Sequence, residues 1–411
     1  MQNNSATTAF LKLEDIENAA KRIAGQVIRT SFRQAPRLSK KLGCDIYIKY
    51  ENEQVSGAFK ERGALNKLLL INDTERKAGV IAASAGNHAQ GVAYHAGRLG
   101  IPSVIVMPSV TPMAKVEATR SFGAQIVLAG DTFDECQSEM YKIQKERGLT
   151  LIHPFNDLAV MAGQGTIGLE IDEQAEDDLD ACVIAIGGGG LASGVSTALK
   201  AKRPDLKIYG VQTPLFPHFY NRRYADDPLS DLTEGATLAE GIAVKAPGDI
   251  CFLTANPHLD DVLLADEKLI EQAISLLVTE TKTVAEGAGA TGLAGIMAYP
   301  DLFKGKKVGF ILCGGNIDSR LLSAVLTRTL FHQGRLFTVK MTVNDRPGFL
   351  AQVSELIAKA GGNVIEVAHN RYNLGMLVKD TGLSLTIEAR DNKHGAAIRQ
   401  ALIAEGFNLQ L

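Results

Sequence analysis

The chain has 411 residues, 45% of them apolar, enough for two or three domains around a large buried core. Its formal charge of −3 gives no electrostatic case for a nucleic acid or an acidic membrane surface as partner. Five scattered cysteines (Cys44, Cys136, Cys182, Cys251 and Cys313), without a CxxC pair, point to reduced thiols and away from a disulfide framework or a zinc site.

The opening, MQNNSATTAFLKLEDIENAA, is polar and then amphipathic, unlike a signal peptide. No apolar run reaches the roughly 18 residues that span a bilayer. Helical spacing over residues 13–26 predicts a first helix. Asp45–Tyr50 alternates as a strand does, and a helix opened by Lys60 continues through Ala64–Leu70. Then come the strand Val80–Ala83, the helix Ala89–Leu99, the strand Ser103–Met107, the helix Pro112–Phe122, the strand Gln125–Leu128 and the helix Thr132–Arg147. Beyond Gly165–Glu170 follow the strand Ala181–Ile186, the helix Ser193–Lys200, the strand Lys207–Val211, a helix near Glu267–Thr281 and the strand Val308–Leu312. This alternation predicts an α/β protein built of βαβ units around largely parallel sheets. Ligands of such sheets sit beyond the carboxyl ends of the strands, and Ser84, Gly187 and Cys313 each fall just past a predicted strand.

The character of the chain changes after about residue 325. Residues 326–334 read as a linker. Leu336–Val343 alternates and ends at Asn344-Asp345-Arg346-Pro347-Gly348, followed by a helix over Phe349–Ala360 and a turn at Gly361-Gly362-Asn363. Strands over Val364–His369 and Gly382–Arg390, a helix over His394–Glu405 and a last strand in Phe407–Leu411 complete a β-α-β-β-α-β order. That is a ferredoxin-like module.

Four segments suggest chemistry. Lys60 opens a helix in Ser56-Gly57-Ala58-Phe59-Lys60-Glu61-Arg62-Gly63-Ala64. Alone it reads as a solvated charge on a structural helix. Beside a polar strand-to-helix loop, Ser84–Gly91, and the tetrad Gly187–Gly190, it reads as the reactive amine of a pyridoxal 5′-phosphate (PLP) enzyme. Such an amine must be neutral to attack, so it needs a desolvated or electropositive setting. The tetrad follows an apolar strand and precedes a helix, where bare backbone N–H groups can converge on a phosphate. The competing readings are a tight turn or a dinucleotide loop, but the spacing is not GxGxxG and no acidic residue follows at the expected distance. Ser84-Ala85-Gly86-Asn87-His88 offers a hydroxyl, backbone amides and an amide side chain, suited to a substrate carboxylate. Asn87 can also donate to the cofactor's phenolic oxygen. His88 reads as a packed or capping residue or as a base. The Cys313 thiol can hydrogen-bond a pyridine nitrogen without fully protonating it, which favours elimination, or it is a small buried hydrophobe.

Together the strings SGAFKERGA, SAGNHAQG, GGGGLASG and LCGGNID resemble the fold-type II PLP enzymes, and closely the threonine dehydratases (threonine ammonia-lyases), over roughly residues 10–325. The resemblance implies a catalytic domain over residues 1–325 made of two open, mostly parallel α/β subdomains, the smaller at about residues 55–155. It makes Lys60, with Phe59 beside it, the Schiff-base lysine and puts Asn87 on the cofactor's 3-hydroxyl. It puts Gly187, Gly188, Gly189, Gly190 and Leu191 on its phosphate and Cys313 against the ring nitrogen. Ser84, Ala85, Gly86, Asn87 and His88 take the substrate carboxylate. Serine racemases share these strings but carry a second serine at the position of Ala85, whose hydroxyl reprotonates Cα; alanine there favours elimination. Glu286 resembles the acid of a Glu-Pro-Ala stretch near the cofactor, but Gly287 replaces the proline, which leaves its role open.

Residues 335–411 look like an ACT domain, with Asp345-Arg346-Pro347-Gly348 matching the turn before its first helix. The alternative is a purely structural or dimerising module. The resemblance implies a cytoplasmic homodimer or homotetramer converting L-threonine to 2-oxobutanoate and ammonia, and L-serine to pyruvate. It further implies regulation by an amino acid such as isoleucine or valine in isoleucine biosynthesis. A catabolic dehydratase and a serine racemase-like enzyme are the alternatives. Relatives also use a monovalent or divalent cation, for which the sequence singles out no ligands.

Overall fold

The computed structural model describes residues 10–175, 179–229, 235–371 and 379–410; the polar opening at residues 1–9 and Leu411, the end of the last expected strand, lie outside the described residues. The chain divides into two compact units, Met1–Ile317 and Asp318–Leu411.

The first unit holds two sheets. The larger runs in the order Phe32–Gln34, Asp45–Tyr50, Lys307–Leu312, Ala181–Ala185, Lys207–Gln212, Asp261–Leu264. Every neighbouring pair is parallel except the first. The smaller sheet runs Gln125–Leu128, Ser103–Met107, Val80–Ala83, Thr150–Leu151, all parallel. Its central strands are buried along their whole length, as strands covered on both faces must be. Alternation along Val80–Ala83 sends Val80 and Ala82 into one core with Val92 and Ile105. Ile81 and Ala83 go into the other core with Cys136 and Met140. Helix ends follow local chemistry. Thr132 and Glu135 form a capping box at Phe133–Arg147, and Gly148 in the left-handed region ends that helix.

Gly165–Glu170 lie inside a long helix, Leu158–Gln174, whose N-cap Asp157 accepts from Ala159 and Val160 N–H. This helix lies against the one opened by Lys60, where a Cβ on Gly163 would stand 2.5 Å from the Arg62 carbonyl oxygen. The same place is locked by charge. Arg62 is wholly buried. It donates to Glu51 at 2.8 Å from both Nε and Nη2, and to Glu170 at 2.6 and 2.9 Å from Nη1 and Nη2. Lys49 joins through Glu170 at 2.6 Å and the Thr30 carbonyl at 2.7 Å. Burial alone would raise the Glu51 carboxyl, but the Arg62 guanidinium holds it below the ordinary carboxylate range.

The second unit opens with a helix, Ser319–His332, capped by the Asp318 side chain on Arg320 and Leu321 N–H. Most of residues 326–334, expected as a linker, are therefore helical: the cap starts a turn that apolar Leu322, Val325 and Leu326 continue. There follow Leu336–Asn344, Phe349–Lys359, Asn363–Asn370, Asp380–Glu388, Asn392–Ala404 and Leu409–Gln410. The antiparallel sheet runs Asn363–Asn370, Asp380–Glu388, Leu336–Asn344, Leu409–Gln410, the ferredoxin-like arrangement. Phe337, Val339 and Met341 alternate inward to meet Leu383, Leu385 and Ile387. The turn Asp345-Arg346-Pro347-Gly348 joins the strand Leu336–Asn344 to the helix Phe349–Lys359, with Asp345 accepting from Arg371 Nε at 2.9 Å.

Candidate active site

Lys60 is the first residue of the helix Lys60–Leu70. The segment leading to it is pinned to the strand end at Cys313. Phe59 N donates to the Cys313 carbonyl at 3.0 Å and Gly315 N to the Gly57 carbonyl at 2.9 Å, with Ala58 bridged to Gly314. The buried Glu61 carboxylate accepts from Ser56 N and closes the loop. Lys60 Nζ donates to the Pro154 carbonyl at 2.8 Å and stands 5.1 Å from the centre of the Phe59 ring. Burial pushes its pKa down to about 8, against the opposing fields of Cys313, Cys251 and Glu286. A neutral amine is thus within reach near physiological pH.

The glycine tetrad joins the strand Ala181–Ala185 to the helix Gly190–Lys202, with Gly189 at φ 96°. A Cβ on Gly188 would enter the Phe155 ring, and one on Gly190 would lie 3.0 Å from Phe155 Cα. The loop therefore presents bare backbone at a helix N-terminus, a surface for an anion. Phe155 belongs to a segment the sequence reading did not single out. His153 Nδ1 accepts from Phe155 N at 3.2 Å and from Asn156 N at 2.8 Å. Burial lowers the pKa of His153 to about 4, which keeps it the neutral acceptor this turn needs. One turn thereby sets the Pro154 carbonyl on Lys60 and the Phe155 ring against the glycines. Its one sequence signal was a His-Pro-aromatic string just past a short apolar run. Gly188→Ala is expected to cost about 1–3 kcal/mol through overpacking. It should also raise the PLP concentration for half-reconstitution by roughly tenfold; denaturant unfolding and a PLP absorbance titration measure the two.

Ser84 to His88 lie where expected, past the strand Val80–Ala83 and at the start of the helix Asn87–Arg98. Ser84 Oγ accepts from Gly86 N at 3.2 Å, and Ser84, Ala85, Gly86 and Asn87 are half-buried. His88 is 3% exposed and its Nε2 lies 2.7 Å from the Ile152 carbonyl, so that nitrogen carries the proton. Burial drives its pKa down to about 3, and Nδ1 has no partner among the described residues. The ring is neutral and tied to the chain, the packed alternative of the two readings.

Asn87 is held from two sides. Its Nδ2 donates to Glu286 Oε1 at 2.6 Å, and its Oδ1 accepts from Asn316 Nδ2 at 2.8 Å. Asn316 Nδ2 also donates to the Ser56 carbonyl at 2.7 Å. Cys313 is buried, and burial pushes its thiol far up, so it stays neutral. The structure thus brings Lys60, Phe59, Asn87, Gly187–Gly190, Cys313 and Glu286 to the carboxyl ends of the strands. A desolvated amine, an anion cradle, a fixed amide donor and a neutral thiol fit a phosphorylated aldehyde with a ring nitrogen and a ring oxygen. Among the described residues, no group of three or more His, Cys, Asp or Glu side chains is placed to hold a metal ion, and no helix is long and apolar enough to cross a membrane.

Residues 23–314 match the family model described as pyridoxal-phosphate dependent enzyme. The chain is 42% identical over 403 residues to an L-threonine ammonia-lyase of Thermotoga maritima, covering 98% of this chain and 100% of that protein. Threonine deaminase isoform 2 of Solanum lycopersicum matches with a TM-score of 0.71 at 36% identity, covering 77% of this chain and 86% of that one. A serine racemase of Dictyostelium discoideum matches with a TM-score of 0.70 at 32% identity, covering 75% and 100%. Site geometry, family match and full-length similarity agree: this chain belongs to the pyridoxal-phosphate dependent enzyme family.

Proposed function

We propose that the protein is a PLP-dependent L-threonine ammonia-lyase, releasing 2-oxobutanoate and ammonia, with L-serine as a second substrate giving pyruvate. The observation that carries this reading is the buried Lys60 amine set between the glycine tetrad and Asn87. When bound, PLP supplies the electron sink that makes the substrate Cα proton acidic. Lys60 Nζ would hold the cofactor's aldehyde carbon and, as a neutral amine, would take up the proton from the substrate's Cα. Backbone N–H groups of Gly187 to Leu191 hold the phosphate. Asn87 Nδ2 would hold the ring oxygen, and the neutral Cys313 thiol would hold the ring nitrogen. The loop Ser84–His88 binds the substrate carboxylate through N–H donors. Ala85 offers no hydroxyl to return a proton to Cα, which favours loss of the β-hydroxyl over racemisation.

The likeness to a serine racemase supports one second reading, a racemase-like enzyme. A 2-oxoacid assay with L-threonine and L-serine, alongside a chiral assay for D-serine, separates the two. Release of 2-oxoacid from both substrates is expected, with a preference no larger than the roughly 10–200-fold that one methyl group supports. D-serine without 2-oxoacid would overturn the lyase reading.

The proposal extends to the second unit as an ACT module, with Asp345, Arg346, Pro347 and Gly348 at its amino-acid site. It is supported by the ferredoxin-like sheet order and that turn. In this reading the enzyme is a cytoplasmic homodimer or homotetramer at the first step of isoleucine biosynthesis, inhibited by isoleucine with valine opposing. The same assay run with isoleucine should show a shifted substrate curve; an unchanged curve would remove the regulatory part alone. A cation requirement is part of the expectation, without assigned ligands.

A further inference from the structure

Glu286 behaves unlike an acid at its position. It is the N-cap of the helix Gly287–Ala298, yet its side chain accepts nothing from that helix, although capping is the usual use of an acid there. The carboxyl turns instead into the site, where Asn87 Nδ2 donates to Oε1 at 2.6 Å. The backbone makes room for it: a Cβ on Gly314 would run into the carboxyl, and one on Gly241 would lie 3.6 Å from Oε1. Glu286 N is anchored to the Gly314 carbonyl at 3.1 Å.

The charges facing it do not pair with it. Lys60 comes from the helix Lys60–Leu70, Lys115 from the helix Met113–Arg120, Glu240 from the turn Glu240–Ile242, and the Cys313 thiol from the strand end. Lys115 is engaged with Glu240 at 2.7 Å. Among the described residues, Glu286 forms no ion pair. A carboxyl buried without a cation keeps its proton, and burial drives this one up to about 7.

The amide of Asn87 has one oxygen and two N–H donors. The oxygen is taken by Asn316 and one N–H by Glu286, which leaves the second N–H for the cofactor.

We propose that Glu286 is a positioning residue of the reaction: as a neutral acid it holds the Asn87 amide nitrogen toward the cofactor's ring oxygen, and its ionisation changes the charge felt by that oxygen. The proposal rests on the PLP reading above and adds to it an acid whose protonation sets the electronic state of the bound ring. The sign follows from the raised carboxyl. In both forms the carboxyl accepts from Asn87; below about pH 7 the acid is neutral, and above it the new negative charge faces the ring oxygen and disfavours its anion.

The test is a pH titration of the visible absorption of the holoenzyme without substrate, for the wild type, Glu286→Gln and Glu286→Ala. The wild type should show a spectral step in the neutral range, where Glu286 gains its charge. Glu286→Gln keeps an acceptor for Asn87 but cannot ionise, so it should bind PLP as the wild type does and lose the step. Glu286→Ala should lose the step and need roughly tenfold more PLP for half-saturation. A step of unchanged position in Glu286→Gln would overturn the proposal, as would wild-type affinity for PLP in Glu286→Ala. If Glu286→Ala fails to fold, the glutamine variant decides alone. A wild type that binds PLP but shows no step overturns this inference and leaves the lyase reading intact. A wild type that never acquires the absorption overturns both.

Discussion

Lys60→Ala is expected to abolish the visible absorption of bound PLP together with 2-oxoacid release, lowering turnover by about 10³-fold or more. The size of the effect follows from the two tasks given to one atom. In the proposed function Nζ would both hold the aldehyde and take up the Cα proton. Neighbouring titratable side chains are engaged elsewhere: His88 and His153 each have a ring nitrogen bonded to backbone, burial keeps the Cys313 and Cys251 thiols protonated, and Glu286 accepts from Asn87. The readouts are PLP absorbance, borohydride trapping followed by peptide mapping, and 2-oxoacid release. Retained turnover, or a trapped adduct on another side chain, would overturn the assignment. A companion effect concerns the chain without cofactor. Folding lowers the affinity of Lys60 for a proton, from 10.5 to about 8. Its folded pKa is depressed, so the cost of burying it is absent above the unfolded value, grows as pH falls from the unfolded value to the folded one, and is fully present below that. The cofactor-free Lys60→Met chain should therefore outlast the cofactor-free wild type in denaturant at neutral pH.

Arg62→Met carries the second large effect, on stability rather than chemistry. The guanidinium lies between two carboxylates, Glu51 and Glu170, that have few other partners. Removing it leaves Glu51, wholly buried, with the Thr30 hydroxyl at 2.6 Å and the Gln54 amide at 3.2 Å. Breaking a buried pair from one side costs about 3–5 kcal/mol, because the remaining charge is stranded. The midpoint of denaturant unfolding should fall accordingly, and adding Glu51→Gln should restore part of the loss. The pH dependence has a definite sign. Glu51's folded carboxyl is depressed, so its contribution is present above the unfolded value and is lost as pH falls through the folded one. Arg62→Met should flatten that acid limb. A variant as stable as the wild type would show that the network is not what seats the helix of Lys60.

How much of this was legible in the chain depended on whether a signal was local. The strands at Ser103–Met107 and Gln125–Leu128 match expectation because parallel strands are short apolar runs between polar turns. The glycine tetrad and Lys60 stood out because their chemistry is compressed into single strings. The helix Leu158–Gln174 was hidden by Gly163, Gly165 and Gly168, residues that weaken a helix in isolation; here they allow neighbouring backbones to approach. The expected helix Glu267–Thr281 holds its α form only to Leu276. It then widens over Leu277–Thr281 and ends at Lys282 with φ 58°, a change no periodicity announces. The pairing of Asn87 with Glu286 was the hardest to see. The two are 199 residues apart, and neither string contains any trace of the other.

The place of Lys307–Leu312 in the larger sheet has a consequence for the birth of the enzyme. That strand lies between Asp45–Tyr50 and Ala181–Ala185, which share no ladder of their own. On the ribosome the two halves of the sheet share no strand pairing until this late stretch has emerged, and the Cys313 and Gly315 contacts to the Lys60 loop come with it. Domains generally fold as units during synthesis. Here the loop that carries Lys60 gains its partners at Cys313 and Gly315 almost at the end of the first unit. A premature stop before residue 307 removes the seam of the whole sheet, not a peripheral strand.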